Sequence, residues 1–352
     1  MKKSFIFTLI LMVFTSGLLC AGAQKEVTSQ SVPAGMVDTG QYAQPGPWLA
    51  GRAGLGDTNA WMTMFGLHFR YGIEEKYAQE FKEFKVTSCF WNPVQQIADI
   101  ESLVAQGVDI LFVDPASEAA LVGAVEEAMD KGIPVVLAST KVNTDKFVTW
   151  VSRDNIKAGY MYADWMGKKL NGKGNVIALM GIAGSSYAED VLRGVKQGLG
   201  KYPDIKLVET AYCDWSPVKA KSSMEALIQS NPKIDGIIAD GGQMALGAVE
   251  ALLGAGRKIT PITADDWNGW LRMAKEKNIE FFAESGGNPL ALTCVELAVK
   301  ILRGEPVPKI VEYPIVSFDQ TEIDKYYRPD LNDQYFAIHE LPEQWIKKYY
   351  SK

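Results

Sequence analysis

The chain has 352 residues, which is enough for two ordinary domains with cores of their own. Its composition, 47% apolar and 22% charged, is that of a globular protein rather than a disordered or fibrous one. A net charge of −6 argues against a nucleic-acid partner, four separated cysteines without a CxxC pair argue against a metal cluster or redox motif, and only two histidines leave little room for histidine-based catalysis.

The first 23 residues have the pattern of a signal peptide. Two lysines precede an apolar run from Phe5 to Leu19, and Ala21-Gly22-Ala23 supplies the small residues of a cleavage site. The apolar run is too short for a comfortable membrane span. We therefore predict export to the periplasm with cleavage after Ala23. Lipid attachment at Cys20 is the minority alternative, because a lipoprotein signal prefers a small residue where this chain has a leucine.

The remainder alternates predicted strands with predicted helices. Residues 24–45 are polar and aperiodic, and we predict a mobile leader there. Continuous apolar runs such as 109–113 are typical of strands buried on both faces, and their alternation with helical patterns predicts an α/β, doubly wound fold of parallel strands. The predicted strands are 48–55, 84–90, 109–113, 133–137, 147–151, 176–180, 206–211, 236–239, 259–263 and 280–283.

Two features of this series indicate a ligand cleft. The alternation pauses at the polar segment 139–146 and restarts after residue 155, which suggests a crossing from one sheet to a second. The stretch Ile177–Gly194 reads as a strand, a turn rich in glycine and serine, and a helix. Such turns leave backbone N–H groups free at the carboxyl ends of strands, where small ligands bind.

Several segments together resemble the periplasmic sugar-binding proteins of ABC importers, in particular the ribose-binding-like group of the type I periplasmic binding proteins. The similarity extends from about residue 48 to residue 314. The matching segments are QQIADIESLVAQGVDILFVDPASEAAL (95–121), GIPVV (132–136), RDNIKAG (153–159), GIAGSSYAEDVLRG (181–194), QMALGAVEALLGAG (243–256) and VELAVKILRGE (295–305).

The resemblance implies two Rossmann-like lobes joined by a three-strand hinge. The crossings are expected near residues 152–153, 284–285 and 313–314. The amino-terminal lobe would then comprise 45–152 with 286–313, and the second lobe 153–284 with 314–352. The aromatic-rich tail from residue 326 to residue 350 is expected to pack on the lobes as a strap.

The resemblance also implies that ligand contacts come from the turns after the strands. The chain departs from the ribose-binding pattern at Ser139-Thr140, Glu189, Gly241 and Glu284, which counts against ribose itself. The predicted ligand-binding residues are Asp57, Asn59, Trp61, Trp91, Asn92, Asp114, Thr140, Lys141, Arg153, Asn155, Glu189, Trp215, Asp240, Asp265 and Glu284.

Carboxylates and indoles together suit a sugar. A carboxylate accepts charge-assisted hydrogen bonds from hydroxyls, and an indole covers the C–H face of the ring. For any single aspartate after a strand, helix capping is the more common role, and the number at equivalent turns is what favours binding. The carboxylates near Glu189, Asp265 and Glu284 also leave open a cationic ligand, unless Arg153 or Lys141 compensates them.

The implied function is an extracytoplasmic solute-binding protein, not an enzyme, that captures a small carbohydrate and delivers it to the permease subunits of an ABC importer. It would act as a monomer without a cofactor or a metal. The alternative is the same fold with a non-sugar ligand, such as an amino sugar or other amine, a nucleoside or a furanone signal, and this alternative includes a chemosensory receptor. A transcriptional regulator would need a DNA-binding unit where this chain has the signal-peptide pattern.

Overall fold

The computed structural model describes residues 33–352. The predicted signal peptide, its cleavage site and Cys20 lie outside the described residues. Among residues 33–352, no helix has the length and apolar character that a membrane crossing requires.

Strands and helices alternate through most of the described chain. Within residues 33–352 the strands are β1 (Met36–Val37), β2 (Trp48–Gly54), β3 (Phe81–Ser88), β4 (Ile110–Val113), β5 (Val135–Ala138), β6 (Thr149–Ser152), β7 (Lys173–Met180), β8 (Asp204–Tyr212), β9 (Gly236–Ala239), β10 (Ile262–Asp265), β11 (Phe281–Glu284), β12 (Val307–Pro308), β13 (Ile310–Glu312) and β14 (Ser317–Asp319). The α-helices of the same residues are α1 (Ala60–Tyr71), α2 (Pro93–Ala105), α3 (Val122–Asp130), α4 (Asn155–Lys169), α5 (Ser186–Leu199), α6 (Pro217–Ser230), α7 (Gly242–Gly254), α8 (Asn268–Lys277), α9 (Leu290–Leu302), α10 (Ile323–Tyr326) and α11 (Glu343–Tyr350).

The main strands form two six-stranded sheets with the same internal order. The first sheet runs β13-β6-β5-β4-β2-β3 and is parallel throughout. The second runs β14-β11-β10-β9-β7-β8 and is parallel except for β14 at its edge. Position by position, β2 and β3 of the first sheet correspond to β7 and β8 of the second. This arrangement confirms the predicted doubly wound α/β fold.

The chain passes between the two sheets three times. It leaves the first sheet after β6, returns after β11 through α9, and crosses again between β13 and β14. Helix α9 packs on the first sheet, because Ala291, Cys294 and Ala298 share a core with residues of β4 and β5. Helix α4 packs on the second sheet through Tyr162 and Met166. Each sheet thus belongs to a lobe of its own, with all three connections at one side.

Close backbone packing sets the start of α5 against α4. A side chain on Gly159 would collide with the carbonyl of Val191, and one on Gly194 would collide with the carbonyl of Ile156. The two helices can therefore approach this closely only with glycine at both positions. This contact fixes the position of the turn before α5. The residues of that turn face the strand ends of the second lobe.

The predicted mobile leader is wrong for the part of it that the structure describes, residues 33–45. Strand β1 pairs antiparallel with β12. The buried Thr39 hydroxyl donates to the carbonyl of Glu305 at 2.6 Å, and the Gln44 N–H donates to the carbonyl of Leu302 at 3.0 Å. The partners lie more than 250 residues away, so no local sequence pattern indicates that this segment is held in place.

The last residues, 327–352, form what we call the C-terminal strap. Phe336 and Ile346 are fully buried in the core of the second lobe. The strap also contacts α1 of the first lobe, where the ring of Trp345 packs edge-on against Tyr71 and the Glu340 N–H donates to Nε2 of the buried His68 at 3.2 Å. The strap is therefore part of the folded core and contacts both lobes.

Candidate functional site

A cavity lies between the two sheets, at the carboxyl ends of their strands. It contains about 810 Å³ of empty space, its open mouth included. Helix-starting turns from both lobes surround it, so free N–H groups and polar side chains can face one ligand. Its wall consists of Leu55, Asn59, Trp61, Met62, Phe65, Trp91, Asp114, Ser139, Thr140, Arg153, Tyr187, Trp215, Asp240, Gln243, Asp265, Gly286 and Leu290.

Two carboxylates of the wall occupy equivalent positions in the two lobes. Asp114 follows β4 and accepts the N–H of Leu55 at 2.9 Å, while Asp240 follows β9 and accepts the N–H of Gly181 at 3.0 Å. In each lobe, therefore, one strand's carboxylate fixes the turn after the neighbouring strand, β2 or β7. The same construction on both sides gives the cavity two matched acidic walls.

The two carboxylates differ in how their charge is balanced. Asp114 pairs with the buried guanidinium of Arg52, with two N–O distances of 3.0 Å. Asp240 accepts a hydrogen bond from Nε1 of Trp215 at 3.1 Å but has no cation bonded to it among the described residues. Burial raises the pKa of Asp240 from 3.8 to about 7. The first lobe thus offers a neutralised ion pair and the second a carboxyl that titrates near neutral pH.

A second pair of carboxylates, Asp265 and Asp266, lies at the carboxyl end of β10. Oδ1 of Asp265 accepts the N–H groups of Gly242 at 2.9 Å and Trp267 at 3.1 Å, which leaves Oδ2 available to the cavity. Burial, reinforced by the adjacent Asp266, raises the pKa of Asp265 well above its ordinary value. Asp266 is fully buried rather than solvent-facing, and it accepts the N–H groups of Gly286 and Ile338.

A buried ion pair joins two of the connections between the lobes. Arg153 follows β6, and its guanidinium bonds to both oxygens of Glu284 at the end of β11, with an Nη2–Oε1 distance of 2.9 Å. The same guanidinium donates to the Tyr187 hydroxyl at 2.8 Å, and Nε donates to Oδ1 of Asn155 at 3.0 Å. Burial alone would lower the pKa of Arg153, but the Glu284 carboxylate outweighs it and the pKa is raised.

Aromatic side chains form the apolar part of the wall. Trp61 stacks on Phe65 with ring centroids 4.7 Å apart, and its Nε1 donates to the carbonyl of Gly286 at 2.5 Å. Trp91 and Trp215 come from opposite lobes and stack with centroids 6.3 Å apart. The cavity therefore combines acidic groups with several indole faces.

Nine of the fifteen predicted ligand-binding residues lie in the cavity wall. They are Asn59, Trp61, Trp91, Asp114, Thr140, Arg153, Trp215, Asp240 and Asp265. Asn59 also caps α1 by accepting the N–H of Met62 at 3.0 Å. Capping and cavity lining are thus compatible at the same residue.

The other six predicted residues do not line the cavity. Asn92 caps α2 by accepting two N–H groups, and Asn155 is bonded to Arg153. Glu189 accepts the Tyr212 hydroxyl at 2.8 Å, and fully buried Glu284 faces Arg153 instead of the cavity. The remaining two, Asp57 and Lys141, are exposed.

Sequence reasoning missed several wall residues. Tyr187 and Gln243 lie in the first turns of α5 and α7. Both helices begin beside strand ends, and this position could have indicated that the two side chains face the cavity. Leu55, Met62, Phe65 and Leu290 are apolar, and nothing in their local pattern separates a cavity wall from ordinary core. Gly286 contributes its backbone, which no side-chain pattern predicts.

The titration of Asp240 leads to an expected pH dependence of stability. Between pH 4 and 7 the folded protein holds a proton on Asp240 that the unfolded chain has released, so stability falls as pH rises. In the Asp240→Asn variant, the slope of the free energy of unfolding against pH is expected to be smaller by up to about 1.4 kcal/mol per pH unit. Urea unfolding at several pH values measures it, with the exposed Asp57→Asn as control. An unchanged slope in Asp240→Asn would contradict the assignment.

Comparisons of the sequence with known proteins agree on one family. The periplasmic binding protein domain family matches residues 57–306. The ribose import binding protein RbsB of Bacillus subtilis is 30% identical over 253 residues, which cover 71% of this chain and 82% of that protein. A xylitol-binding protein of Mycolicibacterium smegmatis is 36% identical over 172 residues, about half of each chain.

A solved structure from Mycobacterium smegmatis, in complex with β-D-fucofuranose, has the same fold. It aligns with a TM-score of 0.73 and 28% identity, and the alignment covers 79% of this chain and 93% of that one. The residues that the family matches include every residue of the cavity wall except Leu55.

Proposed function

The chain belongs to the periplasmic binding protein family, and we propose on that basis that it captures a small carbohydrate, a monosaccharide or polyol, between its lobes. It acts outside the cytoplasmic membrane and delivers the sugar to the permease subunits of an ABC importer. The observation that carries this proposal is the single cavity in which carboxylates from both lobes face indole rings.

The cavity has the groups that a sugar needs. Asp240 and Asp265 accept hydrogen bonds from hydroxyls, while the side-chain amides of Asn59 and Gln243 donate to the hydroxyl oxygens. Trp61 and Trp215 cover the C–H faces of the ring. Because a buried polar group without a partner is costly, a hydroxyl-bearing ligand that satisfies these groups is favoured over an apolar one.

The charges of the cavity support a neutral ligand. Arg52 balances Asp114 and Arg153 balances Glu284. Burial raises the pKa of Asp240 and of Asp265, which favours the uncharged form of these two carboxyls, so the ligand does not have to supply a cation. The similar proteins are named for ribose, for xylitol and for a fucofuranose complex, all hydroxyl-rich and uncharged. These points favour a carbohydrate over the amine, nucleoside or furanone alternatives.

The binding unit we infer is one chain with two lobes that close on the sugar. One lobe comprises 45–152 with 286–313, and the other 153–284 with 314–352; the three connections act as the hinge. Both lobes that line the cavity belong to the same chain, so a second copy is not required to complete the site, and we infer a monomer. Export with cleavage after Ala23 remains our prediction, with lipid attachment at Cys20 as the alternative; intact-mass measurement of the secreted protein distinguishes them.

A ligand panel tests the proposal. Purified protein is titrated with D-ribose, D-galactose, L-arabinose, D-allose, xylitol and myo-inositol, with adenosine and spermidine as non-sugar controls. A binding sugar at a hundred times its Kd is expected to stabilise the fold by about 2.7 kcal/mol, visible as a rise in Tm. A rise with adenosine or spermidine and with none of the sugars or polyols would contradict the carbohydrate proposal.

One conservative substitution tests the site. In Asp265→Asn, Oδ1 can still accept its two backbone N–H groups, but the atom facing the cavity becomes a donor. Loss of the hydrogen-bond acceptor that faces the cavity is expected to weaken sugar binding about 10- to 100-fold. Calorimetric titration measures the loss, and Asp57→Asn, a predicted contact that lies outside the cavity, is the matched control. Equal affinity of both variants would place the sugar elsewhere.

A further inference from the structure

A five-residue turn occurs twice in the chain, once in each lobe. Cys89–Pro93 reads CFWNP, and Cys213–Pro217 reads CDWSP. The first directly follows β3 and the second directly follows β8, which are equivalent strands of the two sheets. In both turns the cysteine is buried and the proline begins the next helix, α2 or α6.

The two turns also share an unusual backbone. Phe90 and Trp91 have φ angles of 50° and 64°, and Asp214 and Trp215 have φ angles of 52° and 50°. Left-handed backbone is unfavourable for residues other than glycine and persists where the surrounding structure enforces it. Four such residues in two matched turns indicate that the fold holds their side chains in defined positions.

That backbone brings the two tryptophans together across the cleft. The indoles of Trp91 and Trp215 lie nearly parallel, 28° apart, with centroids separated by 6.3 Å. Both line the cavity and both remain partly exposed. Strands β3 and β8 are the edge strands at the end of each sheet opposite the crossing strands β6 and β11. The contact therefore lies at the mouth of the cleft, where hinge opening separates the lobes most.

The two halves of the contact are held differently. Trp215 donates to Asp240 at 3.1 Å, packs edge-on against Tyr187, and lies so close to Gly181 that any side chain there would collide with the indole. Trp91 makes one long hydrogen bond, to the Thr58 hydroxyl at 3.4 Å. Trp215 is thus fixed in the second lobe, and Trp91 is the part that can move.

We propose that Trp91 and Trp215 form an interlobe clasp that closes the mouth over the bound sugar and restricts the ligand to a single ring or an open-chain polyol. The proposal rests on the carbohydrate function proposed above. A substituent that extended a bound ring towards the mouth would have to pass between the two indoles, and the clasp could then not form.

Binding selectivity after removal of Trp91 tests the size limit. Wild type, Trp91→Ala and Phe90→Ala are titrated with D-ribose and D-galactose, with the α- and β-methyl glycosides of each, and with lactose. Phe90 is the matched control, because it shares the turn and the left-handed backbone but is 67% exposed. Trp215 is left intact because it also holds Asp240.

Wild type and Phe90→Ala are expected to bind the glycosides and lactose about 100-fold or more weakly than the free sugars. Trp91→Ala is expected to bind the free sugars about 2- to 10-fold more weakly, as for loss of an aromatic pair, and to lose most of the discrimination against glycosides. A Trp91→Ala variant that keeps the wild-type discrimination would overturn the proposal while leaving the carbohydrate function intact.

A second measurement reads the clasp without depending on affinity. Two indoles at this separation are expected to couple and give an exciton couplet in the far-ultraviolet circular dichroism spectrum of the wild type. The couplet should be lost in Trp91→Ala and kept in Phe90→Ala and Trp150→Phe. If the couplet is absent both with and without sugar, or survives in Trp91→Ala, the clasp does not exist. If no sugar binds the wild type, the carbohydrate function fails and the couplet alone decides on the clasp.

Discussion

Replacing Arg153 by methionine is expected to lower the free energy of unfolding by about 3–5 kcal/mol, because it leaves the Glu284 carboxylate buried without its cation. Glu284 is fully buried, and the Tyr162 hydroxyl at 2.8 Å would remain as its side-chain donor. Arg153 also holds the Tyr187 hydroxyl, which lies in the cavity wall. The variant should therefore lose sugar affinity as well as stability.

A double-mutant cycle separates the ion pair from packing. Glu284→Gln alone should also be destabilising, because the buried Arg153 loses its counter-ion, although Arg153 keeps the amide oxygen, the Tyr187 hydroxyl and the Ser285 carbonyl as acceptors. Arg153→Met combined with Glu284→Gln should recover much of the stability lost in the single arginine variant, because no unpaired charge remains buried. Urea unfolding of the four proteins measures the coupling. If the double variant is as unstable as Arg153→Met, the loss comes from packing around the arginine.

Most of the fold could be predicted because strands buried on both faces leave continuous apolar runs. Ile110–Val113 and Gly236–Ala239 are fully buried and were predicted within one residue of their observed bounds. Strand β1 was not predicted, because its two residues pair with β12 some 270 positions away. Pairing at that distance leaves no local periodicity for a sequence pattern to detect.

The site was harder to predict than the fold, because a side chain after a strand has several possible partners. Asp114 and Asp240 lie in the cavity wall at equivalent turns, as position suggests. Asn92 has the same kind of position, but its side chain caps its own helix, and the choice between the two depends on a rotamer. Arg52 neutralises Asp114 from inside a strand, and only the assembled sheet brings the two together.

The C-terminal strap carries the other large expected effect. Phe336→Ala should lower the free energy of unfolding by about 3–5 kcal/mol, the usual cost of emptying a fully buried phenylalanine site. The ring lies in the core of the second lobe, and its backbone pairs with Trp267 beside Asp266. Urea unfolding measures the change, and Phe90→Ala, the same substitution at a residue 67% exposed, should cost about 0.5 kcal/mol or less.

The contact of the strap with both lobes gives this experiment a functional consequence. Asp266 accepts the N–H of Ile338 in the strap and the N–H of Gly286, which lies in the cavity wall. Loosening the strap would therefore free Asp266 on one side and weaken its hold on Gly286. Phe336→Ala should therefore weaken sugar binding even where the protein is still folded, whereas Phe90→Ala should not. If Phe336→Ala cost less than about 1 kcal/mol, within the range of a surface substitution, the strap would be a peripheral arm and not part of the core.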